Sequence, residues 1–308
     1  MITDTHTHLY SDQFDEDRTE MIQRAKDAGV SRFFIPAIDS SYTKNMLDLE
    51  SNFKNDVFLM MGLHPTSVKE NYKEELAHVK KWIDKRKFVA IGEIGIDLFW
   101  DKSFLKQQQE AFKTQIQWAK EKKLPIAIHC RDAFDEIFEI LESEKSDELF
   151  GIFHCFTGTL EQAKKAISYN MKLGIGGVAT FKNGKIDKFL NEIDLKHIVL
   201  ETDAPYLAPT PYRGKRNESA YITKVIEDAG FKNLEFNIIV SNPPYVRELE
   251  KQMMSANVLD HEPHLALFVK DDDALFFYRK ITDVAANILK PNGQLYFEIN
   301  ESLGESTK

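Results

Sequence analysis

The chain has 308 residues, 43% of them apolar and 29% charged, which suits a globular protein with a substantial core and leaves room for one large barrel or two ordinary domains. Two cysteines exclude a disulfide framework. The net charge of −9 excludes sequence-independent coating of nucleic acid, although acidic ligands suit a divalent metal and a local basic loop still suits phosphate.

In chain order, residues 1 to about 207 alternate short apolar runs with amphipathic, charge-rich stretches of helical period. The runs "ITDTHTHL", "SRFFIPAI", "VFLMMGLHP", "FVAIGEIGID", "LPIAIHCR", "GIFHCFTG", "MKLGIGGVAT" and "HIVLETDAPYL" read as eight strands. Between them, stretches such as "EDRTEMIQRAKDAG" and "FLKQQQEAFKTQIQWAKEKK" read as helices that close on Lys or Gly. Eight βα units in a row predict a TIM-type (β/α)₈ barrel with functional residues at the C-terminal ends of the strands. After "ESAYITKVIEDAGFKN" the texture changes, giving a division into residues 1–229 and 230–308. The second part reads as strand "EFNIIVSN", a Pro-Pro turn, an irregular segment to about 272, helix "DALFFYRKITDVAANILK", a Pro-Asn-Gly turn and strand "GQLYFEIN". Two strands and one helix close no layers by themselves. No apolar run approaches the roughly 18 residues of a membrane span, and "MITDTHTHLY" lacks a signal peptide's basic start and apolar core, so a cytoplasmic location is expected.

His6 and His8 stand two apart on the first predicted strand, where side-chain alternation aims both imidazoles the same way. His129, His154, Glu93 and Asp203 end other strands. A lone histidine at a strand end is usually a hydrogen-bonded polar group. Six potential ligands recurring at one end of a barrel instead predict a two-metal centre with a bridging carboxylate. Alternation turns Cys130 and Cys155 off the histidine face, as buried apolar groups. Asp203 is the natural carboxylate to orient or deprotonate an attacking water. Imidazole suits zinc or manganese, whereas magnesium prefers carboxylate and water. Arg131, Arg213, Lys215 and Arg216 are candidates for phosphate, and His64 in "GLHP" either contacts substrate or caps its loop.

"DTHTHL", "GLHP", "GEIGID", "IHCRDA", "FHCFTG", "LGIGG", "ETDAPYL" and "YRGKRNE", in this order, resemble the TatD family of metal-dependent deoxyribonucleases, amidohydrolase-like barrels, over residues 1 to about 227. The resemblance implies a two-metal phosphodiester hydrolase acting on DNA, typically as a 3′-to-5′ exonuclease and usually described as magnesium-dependent. It also implies that His6, His8 and Asp203 hold one metal, His129 and His154 the other, and that Glu93 lies between. Ser219 stands where that family usually has Pro. A metal centre of this kind also suits ester or amide substrates such as an aminoacyl-tRNA.

"NIIVSNPPYV" and "LKPNGQLYFEIN" are similar to the HemK/PrmC family, which methylates a glutamine amide in release factors with S-adenosylmethionine. That similarity covers residues 231 to about 300. It implies a partial Rossmann-like methyltransferase fragment in which Asn242 and the Pro243 carbonyl bind the substrate amide, Pro244 stiffens the turn and Tyr245 packs nearby. The Gly-rich loop and acidic strand end of a cofactor cradle do not precede the turn, and "LGIGGVAT" opens no helix. Neither S-adenosylmethionine nor methylation by this chain alone is expected, and a release factor is a partner only if the segment functions.

Overall fold

A computed structural model describes residues 2–228, 236–254, 259 and 264–307. The chain forms two compact units, Met1–Gly230 and Phe231–Lys308; the expected 229/230 boundary itself lies outside the described residues.

In the first unit the strands are β1 (Ile2–Asp4), β2 (Val30–Ile35), β3 (Val57–Met61), β4 (Ala90–Asp97), β5 (Ile126–Arg131), β6 (Gly151–Phe153), β7 (Met171–Ile175) and β8 (Ile198–Leu200). They pair in parallel in sequence order, as a βα chain with right-handed crossovers must. The helices are α1 (Arg18–Asp27), α2 (Thr43–Asn52), α3 (Tyr72–Lys85), α4 (Leu105–Lys122), α5 (Phe134–Ser143), α6 (Leu160–Ser168) and α7 (Ile222–Asp228). Ile35, Leu59, Ile91, Ile94, Ile128, Phe153, Leu173 and Ile175 are buried, so the barrel is filled by branched and aromatic side chains and is not a pore.

Two details depart from the sequence pattern. Between β7 and β8 the expected helix is replaced by 3₁₀ turns at Gly177–Thr180, Ile186–Lys188, Leu190–Glu192 and Leu195–His197. That stretch carries Asn183-Gly184 and several Asp and Asn residues, whose side chains compete for the backbone and whose Gly weakens a helix. The strands β1, β6 and β8 also stop short of the histidines and carboxylates assigned to them. Their chains leave the ladder at the mouth while remaining bonded to neighbours, with Thr7 N–H on Phe34 O and His154 N–H on Ile128 O.

The seam between β8 and β1 is closed largely by Asp4. Its buried carboxylate accepts from Thr202 N (3.0 Å), Thr202 Oγ1 (2.6 Å) and Ser219 Oγ (2.6 Å), and Thr5 N–H reaches Leu200 O at 3.0 Å. Ser219 thus donates to a buried carboxyl, which needs such partners and which burial pushes up to about 7. Helix α4 has a complementary role. Gln108 and Gln115, two turns apart on one face, are buried and grip the backbone of Asp97 and Leu63. They set the ends of β4 and β3, where Asp97 and His64 stand.

Outside the barrel, Asp17 accepts two bonds from Arg216 (2.7 Å each) and one from Arg24 (2.9 Å), and Arg24 also binds Glu218. The Arg216 and Arg24 guanidiniums hold the Asp17 carboxyl well below the usual carboxylate range. A carboxyl depressed on folding stabilises the fold above its unfolded pKa, and that contribution is lost as pH falls further. Asp17→Asn is therefore expected to lower stability at pH 7, the gap to the parent closing progressively below about pH 4. Denaturant titrations at pH 7 and pH 3 check this; a gap of equal size at both would count against it.

In the second unit, β9 (Phe236–Ser241) pairs in parallel with β12 (Leu289–Phe297), and β10 (Val246–Arg247) with β11 (Phe268–Val269). The helix Phe276–Ile288 lies between β9 and β12 in sequence. The predicted strand in "EFNIIVSN" is thus paired. The predicted Pro-Asn-Gly turn is absorbed into β12 as a register shift between Leu289 and Gln294, with Asn292 at φ 69°. Tyr278 of the helix packs on Phe297, whereas Ile238, Val240 and Tyr296 remain exposed, as a two-stranded sheet covered on one face leaves them.

Candidate metal centre

Glu93 is the hub. It is the extra residue of the register irregularity between Gly92 and Ile94, a place where a side chain is re-aimed, and its carboxylate is buried. Its Oε2 lies 3.0 Å from His6 Nε2 and 3.7 Å from His8 Nε2. Its Oε1 lies 2.9 Å from His129 Nδ1, 3.2 Å from His64 Nε2 and 3.7 Å from His154 Nε2. One carboxylate thus divides five imidazoles into two groups. Asp203 Oδ1 sits 3.4 Å from His8 Nε2, 3.8 Å from His154 Nε2 and 4.0 Å from His6 Nε2. Its backbone is left-handed, at φ 56°, a conformation Asp tolerates, and its N–H is fixed on His6 O at 2.9 Å. Asn217 holds the same turn by donating to Thr202 O and Tyr206 O.

Electrostatics follow from this crowding. Burial alone raises the Glu93 carboxyl, but His64, His6 and His154 overcome it and hold the group well below its usual range. Burial likewise opposes ionisation of Asp203, and His154 and His8 reverse the effect. For His154, burial disfavours protonation, yet Glu201, Glu93 and Asp203 outweigh it and push the imidazole up to about 10. His6 and His64 move the other way, because burial dominates. The rings of His6 and His154 stack at 3.5 Å, so two like-charged imidazolium ions there would repel.

The donor chemistry fits divalent cations. Three sets of donor atoms each gather within 4.8 Å: His6, His8 and Asp203; His6, Glu93 and His154; and His64, Glu93 and His129. All six residues expected as ligands converge, and His6 and His8 do so from beyond the end of β1. His64 both caps its loop, its Nδ1 accepting Thr66 N–H at 3.1 Å, and faces Glu93. That bond leaves the ring proton on Nε2, making neutral His64 a donor to Glu93.

Several supporting residues went unrecognised in the sequence. Asp97 Oδ2 lies 2.9 Å from His129 Nε2, Glu201 Oε1 lies 3.0 Å from His154 Nδ1, and Tyr10 Oη lies 2.8 Å from His8 Nδ1. Such partners fix the ring orientation of metal-binding histidines. The available signal was spacing: Asp97 is four residues beyond Glu93 on one strand, and Glu201 two before Asp203.

The centre opens into a cavity of about 610 Å³ lined by His8, His64, Glu93, His129, Arg131 and Asp203 among others. Arg131 therefore stands where a phosphate contact was expected. Arg213 does not line it, because its guanidinium donates to Ala208 O and lies 3.7 Å over the Phe181 ring. Arg216 is committed to Asp17 and Gln13 O. Cys130 and Cys155 are half-buried on the cavity wall, contrary to full burial, and belong to none of the donor sets. Burial pushes both thiols up, so they stay protonated and are poor ligands. In the second unit Pro243 is buried, Asn242 is exposed, Pro244 is half-buried and Tyr245 Oη donates to Glu298 at 2.6 Å. Among the described residues no helix is long and apolar enough to cross a membrane.

An eight-stranded parallel barrel carrying imidazoles and buried carboxylates at the C-terminal strand ends defines a metal-dependent hydrolase of the amidohydrolase-like kind. The sequence model for TatD related DNase matches residues 3–235. The uncharacterized metal-dependent hydrolase YabD of Bacillus subtilis is 40% identical over 243 residues, 78% of this chain and 95% of that protein. The 3′-5′ ssDNA/RNA exonuclease TatD of Erwinia billingiae is 31% identical, over 73% of this chain and 88% of the relative. The crystal structure of the TatD homolog YjjV from Escherichia coli superposes with a TM-score of 0.70 at 29% identity, covering 74% of this chain and 88% of the other. The chain belongs to the TatD family, and it is a metal-dependent hydrolase.

Proposed function

We propose that the barrel hydrolyses phosphodiester bonds at the 3′ ends of single-stranded DNA, working 3′ to 5′ with two divalent cations. The observation carrying this reading is the Glu93 carboxylate, divided between two groups of imidazoles with Asp203 at the mouth. His6, His8 and Asp203 would hold one cation and His129 and His154 the other, with Glu93 as the carboxylate available to both. Bound cations lower the pKa of water and stabilise the attacking and leaving oxygens of an in-line displacement. Asp203, kept ionised by its histidine neighbours, orients the attacking water and accepts its proton. His64 donates to Glu93 and fixes its angle, while Arg131 on the cavity wall receives a phosphate oxygen. The histidine-rich donor set favours manganese or zinc over magnesium. The name of the Erwinia billingiae relative, an exonuclease on ssDNA and RNA, agrees with this substrate class.

Oligonucleotides labelled at the 5′ end, incubated with Mn²⁺, Zn²⁺ or Mg²⁺ beside an aminoacyl-ester substrate, test the reading. A ladder shortening stepwise from the 3′ end is expected. Internal cuts alone, or turnover of the ester alone, would overturn it.

We read the second unit as a fragment of a methyltransferase fold. The parallel pairing of β9 with β12 and the Asn242-Pro243-Pro244-Tyr245 turn directly after β9 support this. Without a cofactor cradle it is assigned no methylation and no S-adenosylmethionine.

A further inference from the structure

Large exposed aromatics on a soluble barrel are unusual enough to ask what they serve. Among the described residues of the first unit, Phe99 (51% exposed), Trp100 (71%) and Tyr206 (48%) are the conspicuous ones, and Trp100 and Tyr206 both line the cavity of the metal centre. They are held in place. The Asp97 Oδ1 carboxylate oxygen accepts the N–H groups of Phe99 (3.0 Å) and Trp100 (3.2 Å), while its Oδ2 faces His129. Leu98 N–H bonds Arg131 O at 2.9 Å. The Phe99 and Trp100 rings meet edge to face at 4.9 Å, and the Arg131 guanidinium lies 3.7 Å from the Phe99 centroid and 5.4 Å from that of Trp100.

We propose that Phe99, Trp100 and Arg131 form a nucleobase subsite beside the metal centre, in which an unpaired base stacks on Trp100 and Arg131 takes the adjoining phosphate. The inference rests on the phosphodiesterase reading above and names what selects its substrate. Every base has a π face, so such a platform is tolerant of sequence but needs the base unstacked from a partner strand. The net charge of −9 makes general electrostatic attraction to a polyanion a poor source of affinity. Stacking then adds to the local positive charge that the bound cations and the Arg131 guanidinium supply at the cavity. Because Asp97 touches both the platform loop and His129, it ties the stacking surface to the metal centre.

Two measurements test the subsite. The first uses intrinsic fluorescence of the EDTA-treated protein titrated with an eight-residue oligothymidylate or with an abasic sugar-phosphate oligomer of equal length. Quenching by the base-bearing strand is expected and is lost in Trp100→Phe, whose other tryptophans are retained; equal response to both strands would overturn the proposal. The second compares kcat/KM on the same two strands with metal present. The parent should prefer the base-bearing strand by about 5- to 150-fold, the range for one stacked base. In Trp100→Ala that ratio should collapse toward one, and Trp100→Phe should restore most of it. A ratio near one in the parent overturns the subsite while leaving phosphodiester hydrolysis intact. If neither strand is cut, the hydrolysis reading fails and the quenching alone decides the subsite.

Discussion

Replacing Glu93 with Gln is expected to reduce metal-dependent phosphodiester hydrolysis on the order of 10³-fold or more, with the fold retained. Glutamine keeps the shape of the side chain and removes its charge. That charge faces His6 and His8 from one oxygen and His64, His129 and His154 from the other. Both groups therefore lose their shared anion together, and among the described residues no other carboxylate lies so close to both. Metal content by equilibrium dialysis should fall along with activity, and circular dichroism should not change. Full activity in Glu93→Gln would remove the bridge from the mechanism.

Gly95→Ala should be among the most destabilising single substitutions in the barrel, by about 4 kcal/mol or more. Gly95 has φ 143°, and a methyl group there would lie 2.0 Å from His129 O and 3.0 Å from the carbonyl carbon. The contact is backbone, so no side chain can swing aside. Strands β4 and β5 would have to part where Gly95 pairs with His129, between Glu93 and Asp97. Denaturant unfolding would report the loss. An unchanged midpoint would mean that the two strands adjust without cost.

Much of this was legible in the sequence because the chemistry is repeated. Eight apolar runs with helical stretches between them specify the barrel, and six ligand-type residues at one end of those runs specify the centre. What was not legible depends on distance through space. Asp4 looks like part of a strand until Thr202 and Ser219, about 200 residues later, are seen to donate to it. Arg213 and Arg216 sit in a basic loop that reads as a phosphate site, yet Ala208 O, Phe181 and Asp17 already engage them. The missing helix between β7 and β8 was a matter of local competition: the apolar spacing resembles a helix, but Asn183-Gly184 interrupts it.

The seam at Asp4 has a consequence for timing. His6 precedes Asp203 by nearly the whole length of the barrel, and the hydroxyl of Ser219 that helps lock β1 against β8 comes later still. A growing chain shorter than this holds its candidate ligands on strands with nothing to close against. The candidate centre is therefore complete only when β1, with His6 and His8 beyond it, has met the segment after β8 that carries Asp203.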